Sequence, residues 1–188
     1  MDFLDEKRHH EQEKYEHIAG NRDSFNGYGA NAHGASLIWK IKELSPKSIC
    51  DVGTATGRFC IMLEDEGIEE VIGVDFAFVP EGGRNIRWIK AFAHDMPIED
   101  KSVDYVTAFD FLEHVLPEEV NEVLDEFRRI SKKGFMFSVS YKESCHSVGG
   151  ENLHMTVRSK EWWHEKFKEY GEVEVVGNFF IVHCKNEG

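Results

Sequence analysis

The stretch that decides the fold is residues 48–75, SICDVGTATGRFCIMLEDEGIEEVIGVD. An apolar run from Ile49 to Val52 leads into a glycine-containing turn, and a helical pattern of apolar residues follows that turn. A second apolar run, residues 71–74, ends in Asp75. This order of strand, tight turn, helix, strand and acidic residue predicts one βαβ unit.

The turn after the first strand is suited to close contact with a ligand. Gly53 and Gly57 can adopt backbone conformations that other residues avoid, and the helix start beyond them offers unpaired N–H groups. Ligands of open α/β sheets bind at the carboxyl ends of the strands, where Asp75 can accept hydrogen bonds from two vicinal ribose hydroxyls. Asp51 would repel a phosphate at this position, but it could hold an amino group.

The spacing of Asp51, Gly53, Ala55 and Gly57 resembles motif I of the class I S-adenosylmethionine (SAM)-dependent methyltransferases, (D/E)-x-G-x-G-x-G. Ala55 stands where that motif has its middle glycine. The resemblance implies that SAM is the cofactor and S-adenosylhomocysteine (SAH) the product. It places Asp51 at the methionyl end of SAM, Asp75 at the ribose, and the turn residues Gly53, Thr54, Ala55 and Gly57 against the cofactor. The alternative is a turn that only joins a strand to a helix.

A second segment, residues 93–104, resembles the part of the same family that lines the adenine, D-x-x-x-L-P-F-x-D-x-S-F-D. Phe92 occupies the position of the family's leading acid, which contacts the adenine amino group. The resemblance therefore assigns that contact to the backbone at Ala93 and His94, or to Asp95 as a substitute. Phe76, directly after the ribose-binding acid, either packs on the adenine or is an ordinary core aromatic.

Composition limits the classes of partner. The chain has 188 residues and a net charge of −13, which disfavours a broad nucleic-acid-binding surface without excluding a local basic groove. No apolar run reaches membrane-spanning length, the first residues do not form a signal peptide, and the four cysteines show no C-x-x-C pairing. We therefore expect a cytoplasmic protein with free thiols.

The expected organisation is a charged N-terminal segment, residues 1–30, and a single methyltransferase domain, residues 31–188. The N-terminal segment is expected to form a surface helix or a mobile tail. In the resembling family the segment before motif I often folds over SAM. Tyr28 and His33 could therefore be lid residues, or they could be ordinary loop and helix positions.

The expected fold is a Rossmann-like α/β domain with helices on both faces of a seven-stranded, mostly parallel sheet. Residues 85–92, 103–109 and 135–140 read as further strands. Near the C-terminus, Gly177 and Asn178 link two apolar runs, which is a hairpin signal. An antiparallel C-terminal hairpin of this kind is a feature of the class I methyltransferase fold.

Three residues are candidates for catalysis: His154, His114 and Asp110. Methyl transfer from SAM to a hydroxyl requires a positioned acceptor and a group that removes its proton, and imidazole titrates close to neutral pH. His114 and Asp110 follow the predicted fourth strand, whereas His154 lies in a loop before the last helix. The competing interpretations are a helix-capping or SAM-lining role for His114 and a backbone-bonded loop position for His154.

Asp110, Glu113 and His114 also form the pattern D-x-x-E-H. It resembles the E-x-x-E-H metal motif of small-RNA 2′-O-methyltransferases and ubiquinone-pathway O-methyltransferases, with His154 or His146 able to complete a set of ligands. Carboxylate and imidazole together suit Mg²⁺, Mn²⁺ or Zn²⁺. Because Asp is shorter than Glu and the motif is loose, no metal is assigned from sequence.

The sequence thus favours a SAM-dependent methyltransferase that acts on a small polar molecule, at a hydroxyl. Two alternatives stay open: a metal-assisted RNA or nucleotide O-methyltransferase, and a SAM-binding module without catalysis. The acceptor and the oligomeric state are not determined by the sequence.

Overall fold

A seven-stranded sheet forms the centre of the protein. The computed structural model describes residues 3–21, 32–78, 80 and 82–185. The strands of the sheet are β1 (Ser48–Val52), β2 (Glu70–Asp75), β3 (Ile86–Lys90), β4 (Val103–Phe109), β5 (Ser131–Ser138), β8 (Gly171–Val176) and β9 (Phe179–Cys184). A separate two-stranded ribbon pairs β6 (Ser147–Val148) with β7 (Glu151–Asn152). The helices are α1 (Phe3–Gly20), α2 (Ile38–Leu44), α3 (Arg58–Asp65), α4 (Val120–Ile130) and α5 (Lys160–Lys168), with short 3₁₀ turns at His33–Leu37 and Leu112–His114.

The strand order is β3-β2-β1-β4-β5-β9-β8. Strands β1 to β5 pair in parallel, and β9 pairs antiparallel with both β5 and β8. The chain order reverses beside β1, so the carboxyl ends of β1 and β4 flank the point where such sheets bind ligands. This arrangement confirms the expected Rossmann-like fold with its antiparallel C-terminal hairpin.

The sheet is covered on both faces because its strands alternate between two cores. Cys50, Val52 and Phe135 belong to one core, which packs against α4 and α5. Ile49 and Met136 belong to the other core, which packs against α2 and α3. The helices therefore cover both faces, as the sequence predicts.

Three segments that precede or connect the strands contain short or late-starting elements. The segment before β1 starts as a 3₁₀ turn at His33 and becomes α-helical at Ile38. Helix α4 begins at Val120, three residues after Pro117. Residues 141–152 contain the β6–β7 ribbon, which turns at Gly149 and Gly150.

The charged N-terminal segment forms the long helix α1. It is polar along most of its length, and Tyr15 and Ile18 are its buried hydrophobic side chains. These two residues join Phe78 and Leu153 in a small third apolar cluster. Tyr28 lies outside the described residues. None of the helices in the described part of the chain has the length and apolar character needed to cross a bilayer.

Candidate active site

A cavity of about 600 Å³ opens at the carboxyl ends of β1, β2 and β4. Its walls come from the turns that follow these strands, from α1, and from the loop before β6. Parallel strands bring the residues after each carboxyl end to the same edge of the sheet, which explains why segments distant in sequence meet here.

The turn after β1 requires its glycine at the first position. Gly53 has φ +73°, and a Cβ atom there would lie 2.4 Å from the ring of Phe111. Gly57 (φ +74°) starts α3 and packs under Trp88, outside the cavity wall. Ala55 adopts φ +46° although it is not a glycine. Gly53, Thr54 and Ala55 line the cavity, while their N–H groups donate to the carbonyl of Val74 and to the carboxylate of Asp75.

Asp75 lines the cavity and is held by backbone amides. Its Oδ2 accepts from the N–H of Ala55 at 3.0 Å, and its Oδ1 accepts from Ala77 at 2.8 Å and Phe78 at 2.9 Å. Burial raises the pKa of this carboxyl group, and the three N–H donors oppose that shift. A carboxylate has about four acceptor positions, so the fixed group retains capacity for a ligand hydroxyl.

Asp51 is a buried carboxylate at the other end of the turn. Its Oδ1 accepts from the hydroxyl of Thr107 at 2.7 Å, which fixes the side chain between β1 and β4. Burial, the largest influence, raises its pKa to about 6. A buried anion of this kind is stabilised by a cation, and an ammonium group is one that a ligand could supply.

Aromatic rings form the wall beyond Asp75. Phe76 stacks on Phe92 with ring centroids 5.5 Å apart, and Phe92 stacks on His94 at 5.4 Å. Ala93 and His94 line the cavity, whereas Asp95 is exposed and is not part of the cavity wall. This part of the cavity wall is therefore largely aromatic.

Asp110, directly after β4, bridges two other segments. Its Oδ2 lies 2.7 Å from Nδ1 of His33, and its Oδ1 accepts from the hydroxyl of Ser138 at 2.7 Å. The hydrogen bond to Asp110 raises the pKa of His33. Burial on its own would raise the pKa of Asp110, but the hydrogen bonds from His33 and Ser138 have the larger combined effect and lower it. The residue adopts φ +49°, an uncommon conformation that aims the carboxylate at His33.

Glu113, His114 and His154 form a cluster on the same cavity wall. One potential ligand atom from each of them lies within 4.8 Å of the others, and the two imidazole centroids are 4.7 Å apart. Asp110 is not a member of this cluster, and neither is His146, although both line the cavity. The structure thus brings together three of the residues that the sequence pattern proposed for a metal.

Backbone carbonyls fix the tautomers of both histidines. Nδ1 of His114 lies 2.9 Å from the carbonyl of Leu153, and Nδ1 of His154 lies 2.5 Å from the carbonyl of Lys142. Because a carbonyl can only accept, we assign the ring proton of each histidine to Nδ1. In each ring Nε2 is then the acceptor nitrogen.

Burial keeps two members of the cluster uncharged. It raises the pKa of Glu113 to about 8 and lowers the pKa of His114 to about 3. One carboxyl oxygen of Glu113 accepts from the backbone N–H of Ser140 at 3.0 Å. Among the described residues, its other oxygen, Oε2, is buried and has no hydrogen-bond partner. Each residue of the cluster therefore has an acceptor atom that could hold a cation or a proton.

Sequence reasoning missed the contribution of α1. Arg8, Glu11 and Tyr15 all line the cavity. The helix is too polar for a clear apolar stripe, and the i, i+3 pair of Tyr15 and Ile18 was the available signal. The pairing of His33 with Asp110 had no sequence signal, because contact between residues so far apart depends on the fold.

The fold and the site together define a class I SAM-dependent methyltransferase. The chain belongs to the methyltransferase-domain family, whose model matches residues 28–180. Among curated proteins, none matches the chain.

Solved structures share the fold. A protein of Pyrococcus horikoshii, PH0226, is 24% identical with a TM-score of 0.62, over 82% of this chain and 88% of that one. The 1,6-didemethyltoxoflavin-N1-methyltransferase of Burkholderia thailandensis, solved with its acceptor and SAH bound, has a TM-score of 0.74 at 13% identity, over 99% of this chain and 92% of that one. A Haloferax volcanii methyltransferase, solved in complex with the activator Trm112, has a TM-score of 0.68 at 19% identity, over 88% and 80% of the two chains.

Proposed function

We propose that the protein transfers the methyl group of SAM to a hydroxyl of a small polar molecule, with His154 as the general base. The observation that carries this proposal is the orientation of His154 in the cavity. Its Nδ1 donates to the carbonyl of Lys142, so Nε2 is the nitrogen that can take a proton. A base whose ring is fixed through its other nitrogen is a common catalytic arrangement.

The cofactor is placed along the edge of the sheet. Asp75 accepts from a ribose hydroxyl, Asp51 faces the ammonium group of the methionyl end, and Phe76 packs on the adenine. The remaining contacts come from the backbone at Gly53, Thr54, Ala55, Ala93 and His94, all of which line the cavity. Gly57 acts indirectly, by shaping the turn.

The chemistry is a displacement at the methyl carbon of the sulfonium. The acceptor oxygen attacks that carbon, the carbon–sulfur bond breaks to release SAH, and the hydroxyl proton passes to Nε2 of His154. His114 is neutral because burial lowers its pKa to about 3. Its Nε2 orients the substrate by accepting a hydrogen bond from a second donor group of that molecule, and it does not remove the proton of the reacting hydroxyl. Asp110 keeps His33 against the same wall.

A small acceptor is favoured by the shape of the site. The cavity, of about 600 Å³, is lined in part by α1 and by the loop before β6, and a compact molecule fits beside the cofactor in this volume. The net charge of −13 adds general repulsion toward nucleic acid. The Burkholderia N1-methyltransferase, solved with 1,6-didemethyltoxoflavin and SAH bound, has a similar fold.

A second candidate is metal-assisted O-methylation. It is favoured by the buried Oε2 of Glu113, which has no partner among the described residues, and by the two imidazoles whose Nε2 atoms are acceptors. Carbonyl groups that orient metal-binding imidazoles through their other nitrogen are typical of protein metal sites. Glu113, His114 and His154 would hold a divalent cation, which would polarise an acceptor oxygen of a terminal nucleotide or a vicinal diol.

A methyl-transfer screen separates these readings. Labelled SAM is supplied to the wild type with a hydroxyl-bearing metabolite pool and, in parallel, with RNA, each with and without EDTA. We expect transfer to a metabolite that EDTA does not affect. We also expect His154→Ala to lower turnover by about 10²–10⁴-fold while SAH affinity measured by calorimetry stays nearly unchanged. Glu13→Ala, on the exposed face of α1, is the control.

Each other outcome has a definite meaning. Loss of activity in EDTA, with equally strong effects of Glu113→Gln and His154→Ala, would replace the base mechanism with the metal-assisted one. Transfer to RNA alone would move the acceptor to nucleic acid. Tight SAH binding without transfer to any acceptor would leave a cofactor-binding module without catalysis.

A further inference from the structure

Helix α1 forms part of the cavity wall but has little apolar surface to hold it there. Its buried hydrophobic side chains are Tyr15 and Ile18, and only Tyr15 of these two lines the cavity. A helix with such a small apolar contact derives its position from tertiary partners rather than from its own stability. Tyr15 is thus the side chain through which α1 makes both apolar and polar contact with the site.

Tyr15 contacts His114 directly. Its hydroxyl oxygen lies 2.7 Å from Nδ1 of His114, and the two rings meet edge to face with centroids 5.9 Å apart. The same hydroxyl can donate to the carbonyl of Leu153 at 3.4 Å. Because Nδ1 of His114 also donates to that carbonyl, the phenol, the imidazole and the carbonyl form a closed triangle of polar contacts.

We propose that Tyr15 is a positioning residue for His114, and that the reaction centre is complete only when α1 lies over the cavity. The phenol oxygen shares the Nδ1–H of His114 with Leu153 and prevents the ring from turning about its χ2 torsion. Nε2 of His114 is then held toward the acceptor and toward His154. This inference rests on the proposed function, because it assumes that the orientation of His114 matters for methyl transfer.

The attachment of α1 is suited to opening and closing. Exposed ion pairs join it to the rest of the protein at Lys7–Glu118 (2.8 Å) and Glu16–Lys90 (3.0 Å), and Nε2 of His10 lies at hydrogen-bond distance from Glu151, at 2.8 Å. Each exposed pair contributes little to stability because water and salt screen it. Arg8, less exposed, adds contacts to Glu119 and, at 2.7 Å, to Glu122. A helix held mainly by polar contacts and one small apolar cluster is expected to open more readily than the sheet, as gating elements do.

The test uses Tyr15→Phe, which keeps the ring against Phe76, at a centroid distance of 5.6 Å, and removes the hydroxyl. We expect kcat to fall about tenfold, the value of one lost positioning hydrogen bond, with KM for SAM unchanged within twofold. The ring nitrogens of His114 are followed by NMR in the SAH complex of ¹⁵N-histidine-labelled protein. We expect the Nδ1 signal to shift, because that nitrogen loses the phenol oxygen as a hydrogen-bond partner.

A purely structural role would give a different result. If Tyr15→Phe loses SAH affinity and kcat together and exposes α1 to protease, then Tyr15 only holds the helix down. If kcat and the His114 signal both stay as in the wild type, Tyr15 has no positioning role. Glu13→Ala, on the exposed side of the same helix, is the matched control and should change neither readout.

The NMR signal also separates this inference from the proposed function. A shifted His114 signal in a protein that methylates no hydroxyl would mean that the acceptor class is wrong while the contact is real. An unchanged signal in a protein that does methylate a hydroxyl would overturn the positioning role alone.

Discussion

At the scale of single residues, the proposed cofactor end of the site contains carboxylates whose pKa values are raised by burial. Asp51 is the clearest case, because burial raises its pKa to about 6. Below pH 6 the carboxyl group holds a proton in the folded protein, and an ammonium group then gains no ion pair. In the unliganded protein the same shift makes stability fall as pH rises from about 4 to about 6, since the native state retains the proton longer than the unfolded chain.

We therefore predict that SAH affinity rises with pH through 6, by up to about tenfold per pH unit below that value. Asp51→Asn should bind more weakly at pH 7 and show no such rise, since the amide cannot ionise but can still accept from Thr107. Calorimetric titrations from pH 5 to pH 8 measure both proteins. A pH-independent wild type, or a variant that keeps the pH dependence, would contradict the assignment of Asp51 to the methionyl end.

At the scale of elements, the C-terminal hairpin is joined to the parallel strands through a glycine. Gly134 of β5 pairs with His183 of β9. It has φ +152°, and a Cβ atom on it would lie 1.8 Å from the carbonyl oxygen of Val182. Backbone atoms cannot move away cheaply within a paired ladder, so the two strands approach this closely only because β5 has no side chain there.

Gly134→Ala should lower the free energy of unfolding by about 3 kcal/mol or more, through strain and lost pairing between β5 and β9. Urea denaturation followed by circular dichroism gives this quantity. Gly20→Ala is the comparison, because a Cβ atom at Gly20 meets nothing within 4 Å, and we expect a change of at most about 0.5 kcal/mol. Equal stabilities of the two variants would show that the register of β9 is wrong.

At the scale of the whole molecule, two electrostatic effects oppose each other. The excess acidic side chains, which give a net charge of −13, repel one another in the folded state. Exposed pairs of opposite charge, in contrast, attract α1 to the rest of the protein. Added salt screens both kinds of interaction, and the screening length falls from about 10 Å at 0.1 M to about 3 Å at 1 M. The sheet, with two apolar cores, depends little on either.

We predict that 0.5 M NaCl accelerates amide hydrogen exchange in residues 3–20 several-fold while the thermal midpoint of the domain is unchanged or higher. Hydrogen exchange read by mass spectrometry, with β1 and β4 as internal references, measures the local effect. Exchange in α1 that is insensitive to salt would mean that Tyr15 and Ile18, rather than the ion pairs, hold the helix.

The sequence by itself determined the features that depend on local patterns of residues. Alternating and continuous apolar runs identified the strands, and the Gly-Asn link at 177–178 identified the C-terminal hairpin. The spacing from Asp51 to Asp75 identified the βαβ unit and the family. These features depend on local periodicity and on backbone freedom, which are properties of the residues themselves.

The tertiary structure decided which distant residues share the cavity. Three contacts in the cavity join segments that are far apart in sequence. Glu113 and His114 meet His154, His33 contacts Asp110, and Tyr15 contacts His114. The sequence named His154 and His146 equally as partners for the D-x-x-E-H pattern, and the fold brings only His154 into that cluster. Such contacts depend on the strand order and on how the connecting loops are packed, and neither of these is encoded by the spacing of residues within one segment.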